Sequence, residues 1–169
     1  YVTGSNNISV TDNDVSNLFA LNFRDYGIQF VSTNNSFNAN NTANDHYHAG
    51  IYLQSSNNNT LSYNNASNVN SNSNQDYGIR LISSHNNTIE FSNTTNNAIS
   101  GISIQYSENN TLFNNIAGNR IGTTIQDYGI HLLGSTNNNL TGNQLTRNLQ
   151  QGVYLQNSDG NTLFDNNAS

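Results

Sequence analysis

Gln75-Asp76-Tyr77-Gly78-Ile79-Arg80-Leu81 returns 51 residues later as Gln126-Asp127-Tyr128-Gly129-Ile130-His131-Leu132 and stands once earlier as Arg24-Asp25-Tyr26-Gly27-Ile28-Gln29-Phe30. Shorter copies lie between: Gly50-Ile51-Tyr52-Leu53, Gly101-Ile102-Ser103-Ile104 and Gly152-Val153-Tyr154-Leu155. The six glycines, at 27, 50, 78, 101, 129 and 152, are separated by 23, 28, 23, 28 and 23 residues. A unit of about two dozen residues nested in a 51-residue double repeat marks a stacked repeat architecture.

Within Gly78-Ile79-Arg80-Leu81 the apolar residues alternate with a polar one, the period of a half-buried strand. Asn, Gly, Ser and Thr dominate elsewhere and are poor helix formers. A 23-residue coil is too short for a strand–helix–strand crossover. It suits a β-solenoid whose coils pair in parallel at roughly 4.8 Å. A second marker follows each Gly-Ile strand: Asn58-Asn59-Thr60-Leu61, Asn86-Asn87-Thr88-Ile89 and Asn109-Asn110-Thr111-Leu112, with looser copies. Three inward columns follow. They are Ile28, Ile51, Ile79, Ile102, Ile130 and Val153; Phe30, Leu53, Leu81, Ile104, Leu132 and Leu155; and Ile8, Phe37, Leu61, Ile89, Leu112, Leu140 and Leu163. Glycine before each Ile suits a corner that needs positive φ or has no room for a Cβ. Asn tolerates the left-handed region, and its amide both donates and accepts. Stacked Asn amides are therefore expected to form a ladder at the corners.

Asn is 39 of 169 residues, hydrophobic residues are 33% and charged residues 8%. Such composition can mean disorder, but drift in a low-complexity tract does not hold glycines in a 23/28 alternation. The reading is one domain, 1–169, as a whole or as an excerpt of a longer solenoid. The net charge is −6, with four Arg and no Lys. That argues against nucleic acid, which requires a basic face, and against an anionic membrane surface. No apolar run approaches the roughly 20 residues of a membrane span. Without Cys, neither disulfides nor thiolate chemistry is available.

The outward columns beside the Gly-Ile marker hold Gln29, Tyr52, Arg80, Ser103, His131 and Tyr154, then Val31, Gln54, Ile82, Gln105, Leu133 and Gln156. Neither contains an acid, which argues against an enzyme. The ordered acids Asp25, Asp76 and Asp127 lie two coils, roughly 10 Å, apart. That is at or beyond the far limit for paired glycosidase carboxylates, about 9.5 Å, and their recurrence reads as turn structure. His46 and His48 have the one metal-like spacing, since i and i+2 share a strand face. No Cys or Met supports them, and no cofactor is expected. Tyr52, Tyr154, Gln54 and Gln156 are carbohydrate-binding candidates, offering ring faces and amides along a groove. Asn40, Asn65 and Asn93 are the glycan-acceptor candidates among the Asn-x-Ser/Thr triplets, if the protein is secreted.

The pattern Gly-Ile-x-Leu-x-x-Ser-x-Asn-Asn-Thr-Leu-x-x-Asn, as in Gly101 to Asn115 and Gly50 to Asn65, resembles the right-handed parallel β-helix repeat. It is similar to the NosD-type and carbohydrate-binding/sugar-hydrolase group of that family. The resemblance runs over the whole chain and implies an all-β, right-handed parallel β-helix, of six to seven coils by the repeat count. Its members include polysaccharide-degrading enzymes, a protein of copper-site maturation and secreted, cell-surface and periplasmic repeats. It therefore implies an extracellular or cell-surface location without choosing an activity.

Two functional readings follow. One is a structural or adhesive module that self-associates, end to end or laterally, because both ends of the chain lie in mid-coil and open strand edges pair with what fits them. The other is carbohydrate binding or polysaccharide cleavage. Ice binding would need regular Thr rows, and the row Thr60, Thr88, Thr111 and Thr162 is broken by Asn139. The segments Asn17–Arg24, Asn68–Gln75 and Asn119–Gln126 carry the five extra residues of the longer coils and are expected to line one edge as recognition loops. Deleting Asn70 to Asn74 is predicted to leave cooperative thermal unfolding intact; loss of folding would place this loop in the core.

Overall fold

The computed structural model of the chain describes residues 1–17, 25–69, 74–120 and 125–169. Those residues form strands, turns and bends, with no helix. Along the chain come β1 (Val2–Thr3) and β2 (Ser9–Thr11), β3 (Tyr26–Val31) and β4 (Phe37–Ala39), β5 (Ala49–Gln54) and β6 (Thr60–Ser62), then β7 (Tyr77–Ile82) and β8 (Thr88–Glu90). They continue as β9 (Ser100–Gln105) and β10 (Thr111–Phe113), β11 (Tyr128–Leu133) and β12 (Asn139–Thr141), and β13 (Gln151–Gln156) and β14 (Thr162–Phe164). Odd-numbered strands pair in sequence order into one seven-stranded sheet, and even-numbered strands into a second. Every pairing is parallel. A third wall is a column of single bridges through Asp14, Thr42, Asn65, Asn93, Ile116, Gln144 and Asn167. The result is a parallel β-helix.

The first two inward columns stack as the spacing predicts: Ile28 on Ile51 on Ile79 on Ile102 on Ile130 on Val153, and Phe30 on Leu53 on Leu81 on Ile104 on Leu132 on Leu155. All of these but Leu155, which is 40% exposed, make one continuous core together with Leu61, Ile89, Leu112 and Leu140. The third column needs correction at its start. Phe37 pairs with Thr60 and Asn38 with Leu61, and Val10 pairs with Asn38. Val10 and Asn38 therefore occupy the column assigned to Ile8 and Phe37, and Phe37 is 45% exposed. The backbone explains the slip. Asn7, Asn35, Asn58, Asn86, Asn109 and Asn137 share the left-handed corner at φ between 52° and 57°. Aligning Asn35 with Asn58, rather than with Asn59, moves every following residue by one, and one residue changes the face of a strand. Asn38 is thus buried at a leucine site. Its Oδ1 accepts from Asn41 Nδ2 (3.0 Å), while its own Nδ2 has no partner.

The Asn-Asn pair divides its labour. The first Asn supplies the left-handed turn and the second supplies the amide. Asn59, Asn87 and Asn110 each donate a backbone and a side-chain N–H to Oδ1 of the next Asn, at 87, 110 and 138, over 2.8–3.2 Å. The expected ladder has two companions. One runs through Asn41, Asn64, Ser92, Asn115 and Asn143. The other is a serine ladder in which Ser56, Ser84 and Ser107 donate N–H to the hydroxyl of the next coil's serine. The glycines before each Ile do not have positive φ. Of the two reasons for glycine, lack of room holds: a Cβ on Gly101 would lie 2.7 Å from Thr94 O and from Ala117 Cβ.

Asn17–Arg24, Asn68–Gln75 and Asn119–Gln126 fall mostly outside the described residues. Their described ends carry buried amides. Gln75 Oε1 accepts from His46 N (2.9 Å), and its Nε2 donates to Ala66 O and Asn97 Oδ1. Gln126 repeats this with Asn97 N and Asn148 Oδ1.

Two substitutions test these polar interiors in opposite directions. Asn38→Leu removes an unsatisfied buried amide and restores the apolar column, so it raises stability by about 1–3 kcal/mol. Asn110→Ala strips the acceptor from Asn87 and the donor to Asn138 and lowers stability by about 2–4 kcal/mol. Urea unfolding midpoints of the two variants decide the matter.

Candidate functional site: an aromatic and polar row on the long-strand sheet

The longer strands turn Gln29, Tyr52, Arg80, Ser103, His131 and Tyr154 away from the core, as alternation requires. The Asp-Tyr-Gly corner adds a third outward column, because the tyrosine before each glycine reaches over the sheet. Tyr26 stacks on Tyr52 with ring centroids 4.8 Å apart. Four coils on, Tyr128 stacks on Tyr154 at 5.0 Å, and His131 packs on Tyr154 at 5.0 Å. The two stacks are equivalent under the 51-residue repeat applied twice.

The candidates separate once their surroundings are known. Tyr52 is 6% exposed, lying beneath Tyr26 in a small outer cluster with Ala49 and Tyr77. Its ring is not available for stacking from solvent, which corrects the expectation drawn from its position. The cause is the neighbouring corner tyrosine, whose reach strand alternation does not reveal. Tyr154 is half-buried, and Gln54 and Gln156 are exposed. Burial in this cluster pushes the hydroxyls of Tyr52 and Tyr77 above the ordinary tyrosine range, with the Arg80 charge acting against that shift. Among the glycan-acceptor candidates, Asn40 is exposed, whereas Asn65 and Asn93 are half-buried in the bridge column.

His46 and His48 sit in the bends before β5, not on a strand, and diverge. His46 is buried. Its Nε2 lies 2.8 Å from Val15 O and its Nδ1 3.1 Å from Asp25 Oδ1. Asn97 and Asn148, one and two double repeats on, donate to Ala66 O and Ala117 O in the same way. His46 is thus a structural rung. His48 faces outward between Tyr26 and Tyr77. Its Nδ1 donates to Asp76 Oδ2 (3.2 Å), and its Nε2 accepts from Arg80 Nη1 (2.6 Å), the tautomer following from the partners. Arg80 lies over the Tyr77 ring, its Cζ 4.5 Å from the centroid, and its Nη2 donates to Gln105 Oε1 (3.1 Å).

The Asp76–His48–Arg80 chain was not legible in sequence. Its members are 28 and 32 residues from His48 and meet only because adjacent coils stack. The corner aspartates do serve the turn. The carbonyls of Asp25, Asp76 and Asp127 each accept two N–H groups of the next coil. Asp76 adds a side-chain role to that shared one. The usable signal was departure from periodicity: Ile99 and Gln150 stand at the 51-residue equivalents of His48, so this chain forms once.

A second aromatic cluster lies beside the short-strand sheet. Tyr63 and Phe91 stack at 5.0 Å and 9°, both at positive φ, with Phe113 edge-on to Phe91.

His131 yields a pH prediction. Burial holds its imidazole below the ordinary value, against a smaller opposing contribution from Gln156. On acidification the unfolded chain takes up this proton first, so the His131 contribution weakens stability as pH falls below about 6.5. Proton titration of the imidazole resonances, assigned with His131→Asn, should show the His131 ring titrating below that value.

A family model described as periplasmic copper-binding protein (NosD) matches residues 67–169, more than half of the chain. No curated protein matches by sequence. Among solved structures, the periplasmic alginate epimerase AlgG superposes with a TM-score of 0.79 at 18% identity, covering 98% of this chain and 42% of that one. The A-module of the Azotobacter vinelandii mannuronan C-5 epimerase AlgE6 gives 0.74 at 17% identity, covering 98% and 48%. Tailspike protein 2 of an Escherichia coli O157:H7 bacteriophage gives 0.58 at 17% identity, covering 94% and 22%. The chain thus spans less than half the length of these three structures. Copper does not fit the residues present. Imidazole or sulfur donors would have to converge, yet the chain lacks Cys and Met, and both His46 and His48 have each ring nitrogen engaged. Among the described residues no three His, Cys, Asp or Glu side chains gather as a metal site would require. The shared scaffold and the match over residues 67–169 establish that this chain is a right-handed parallel β-helix belonging to the NosD family.

Proposed function

We propose that this chain is a polysaccharide-binding β-helix acting outside the cytoplasm, and that the glycan lies along the outer face of the long-strand sheet. The observation that carries the reading is the row of rings and amides on that face. The Tyr26 and Tyr128–Tyr154 stacks stand four coils apart, roughly 19 Å at about 4.8 Å per coil, with Gln54 and Gln156 exposed beside them. Sugar rings offer apolar C–H faces to aromatic rings and hydroxyls to amides. A polymer can engage both stacks at once, which raises affinity through effective concentration.

Two comparisons support it. The alginate and mannuronan epimerases share this scaffold over nearly the whole chain, and their names specify polysaccharide substrates. The family description and that of AlgG both specify the periplasm. They favour this reading over a structural, self-associating module. Tyr52 serves as the floor under Tyr26, while Tyr26, Tyr128, Tyr154, Gln54 and Gln156 make the contacts.

Affinity electrophoresis against a panel of soluble polysaccharides tests it. Retardation by at least one polymer is expected, with Tyr154→Ala weakening it about tenfold, or about 1.4 kcal/mol. No retardation by any polymer, or an unaffected Tyr154→Ala, overturns the reading.

A further inference from the structure

We propose that the glycan is anionic, and that Arg80 receives its charged substituent, a carboxylate or a sulfate ester; this rests on the polysaccharide reading of the same face. The chain carries net charge −6 and only four cationic side chains besides histidine. One of them is placed in the middle of the aromatic row. Arg80 is half-buried, its Cζ 4.5 Å above the Tyr77 ring and its two terminal nitrogens held by His48 Nε2 and Gln105 Oε1. Neither of those acceptors is a carboxylate. The carboxylate–histidine contacts among the described residues are Asp25–His46 and Asp76–His48, and Arg80 forms no salt bridge with either carboxylate. Asp76, the carboxylate of its network, stands on the far side of the imidazole.

A partly desolvated cation normally meets an anion, because its lost hydration is otherwise repaid only by dipoles. Here the Arg80 Nε is sealed from solvent without a partner. Each terminal nitrogen has donated one N–H to the protein and retains another. A guanidinium with both terminal nitrogens still able to donate is matched to the paired oxygens of a carboxylate or sulfate. It is also held in advance. Tyr77 supports its face, Gln105 and His48 fix its edges, and Asp76 fixes His48, so little side-chain freedom remains to be lost on binding.

A scaffold role does not account for it. The ladders of this protein recur at every coil. The corresponding outward positions in other coils hold Gln29, Tyr52, Ser103, His131 and Tyr154. Coils stack there with no cation, so Arg80 is not required by the stacking. Its two polar partners, His48 and Gln105, come from the coils on either side, which places the guanidinium across three successive coils of the sheet face.

The experiment compares charged and neutral polymers of one backbone at about 0.15 M salt, by affinity electrophoresis and calorimetry. The probes are a panel of polyuronates, each beside its carboxyl-reduced form, and dextran sulfate beside dextran. A preference of tenfold or more for at least one charged member of a pair is expected. Arg80→Gln should reduce that ratio to near one, and Arg80→Lys should leave it intermediate, since it keeps the charge but loses the fork. Thermal melting of each variant checks the fold. Preference confined to polyuronates assigns a carboxylate, and preference confined to dextran sulfate assigns a sulfate. Equal binding of charged and neutral partners overturns the anionic inference, a preference that survives Arg80→Gln overturns the assignment to Arg80, and either result leaves the polysaccharide reading standing. Binding of neither class overturns both. Tyr154→Ala separates the two, because it should weaken charged and neutral polymers alike.

Discussion

Backbone N–H groups at the corners of a solenoid govern the whole structure. Each coil turns several times, and each turn takes amides out of the strand ladders and away from water. An unpaired buried N–H costs about as much as a lost hydrogen bond. The chain meets this cost with side chains from the next coil: Asn87 for Asn59, Asn115 for Ser92, Ser107 for Ser84. Every such bond requires a side-chain oxygen, from Asn or Ser, at the same place one coil on. That requirement imposes the periodic sequence, and it explains how a chain with 33% hydrophobic residues sustains a buried interior. The apolar columns need only two or three residues per coil, because polar ladders close the remaining perimeter.

The same demand separates scaffold from site. Residues that recur with the coil are engaged by the stack. The Asp corners accept two backbone N–H groups each, the Gln75 and Gln126 amides fill the interior of their turns, and His46 stands in for Asn97 and Asn148. Residues that break the period are released from that duty. His48, Arg80 and His131 lie on the outer face, where stacking sets no identity. A surface built this way varies from coil to coil without disturbing the helix beneath it, and recognition can be written on it.

The legible part of the fold was the part with a period. The glycine spacing announced stacked parallel coils, and the Ile and Leu columns came out in register. The misreading of Ile8 and Phe37 arose where the marker degenerated to Asn34-Asn35-Ser36. Two alignments then differ by one residue, and only the left-handed corner at Asn35 distinguishes them. The serine ladder was present in the sequence as the Ser of Gly-Ile-x-Leu-x-x-Ser, but its function depends on a hydroxyl reaching an N–H of the neighbouring coil. For the candidate site, outward columns were readable and burial was not. Tyr52 and Tyr154 occupy equivalent places, yet Tyr52 is covered and Tyr154 is half-open.

By itself, the sequence determined the parallel stacked architecture, the period of the coils and, outside the first coils of the third column, which residues face the core. All of these follow from periodic burial and from the short-range geometry of Gly and Asn. Tertiary structure alone decided the outer-face cluster around Arg80. Asp76, His48, Arg80, Tyr77 and Gln105 meet across three coils, separated in sequence by 28, 32, 29 and 57 residues from His48. No local rule relates residues at those distances. Their contacts exist because the coils stack at a fixed rise, which turns separation along the chain into adjacency across the sheet.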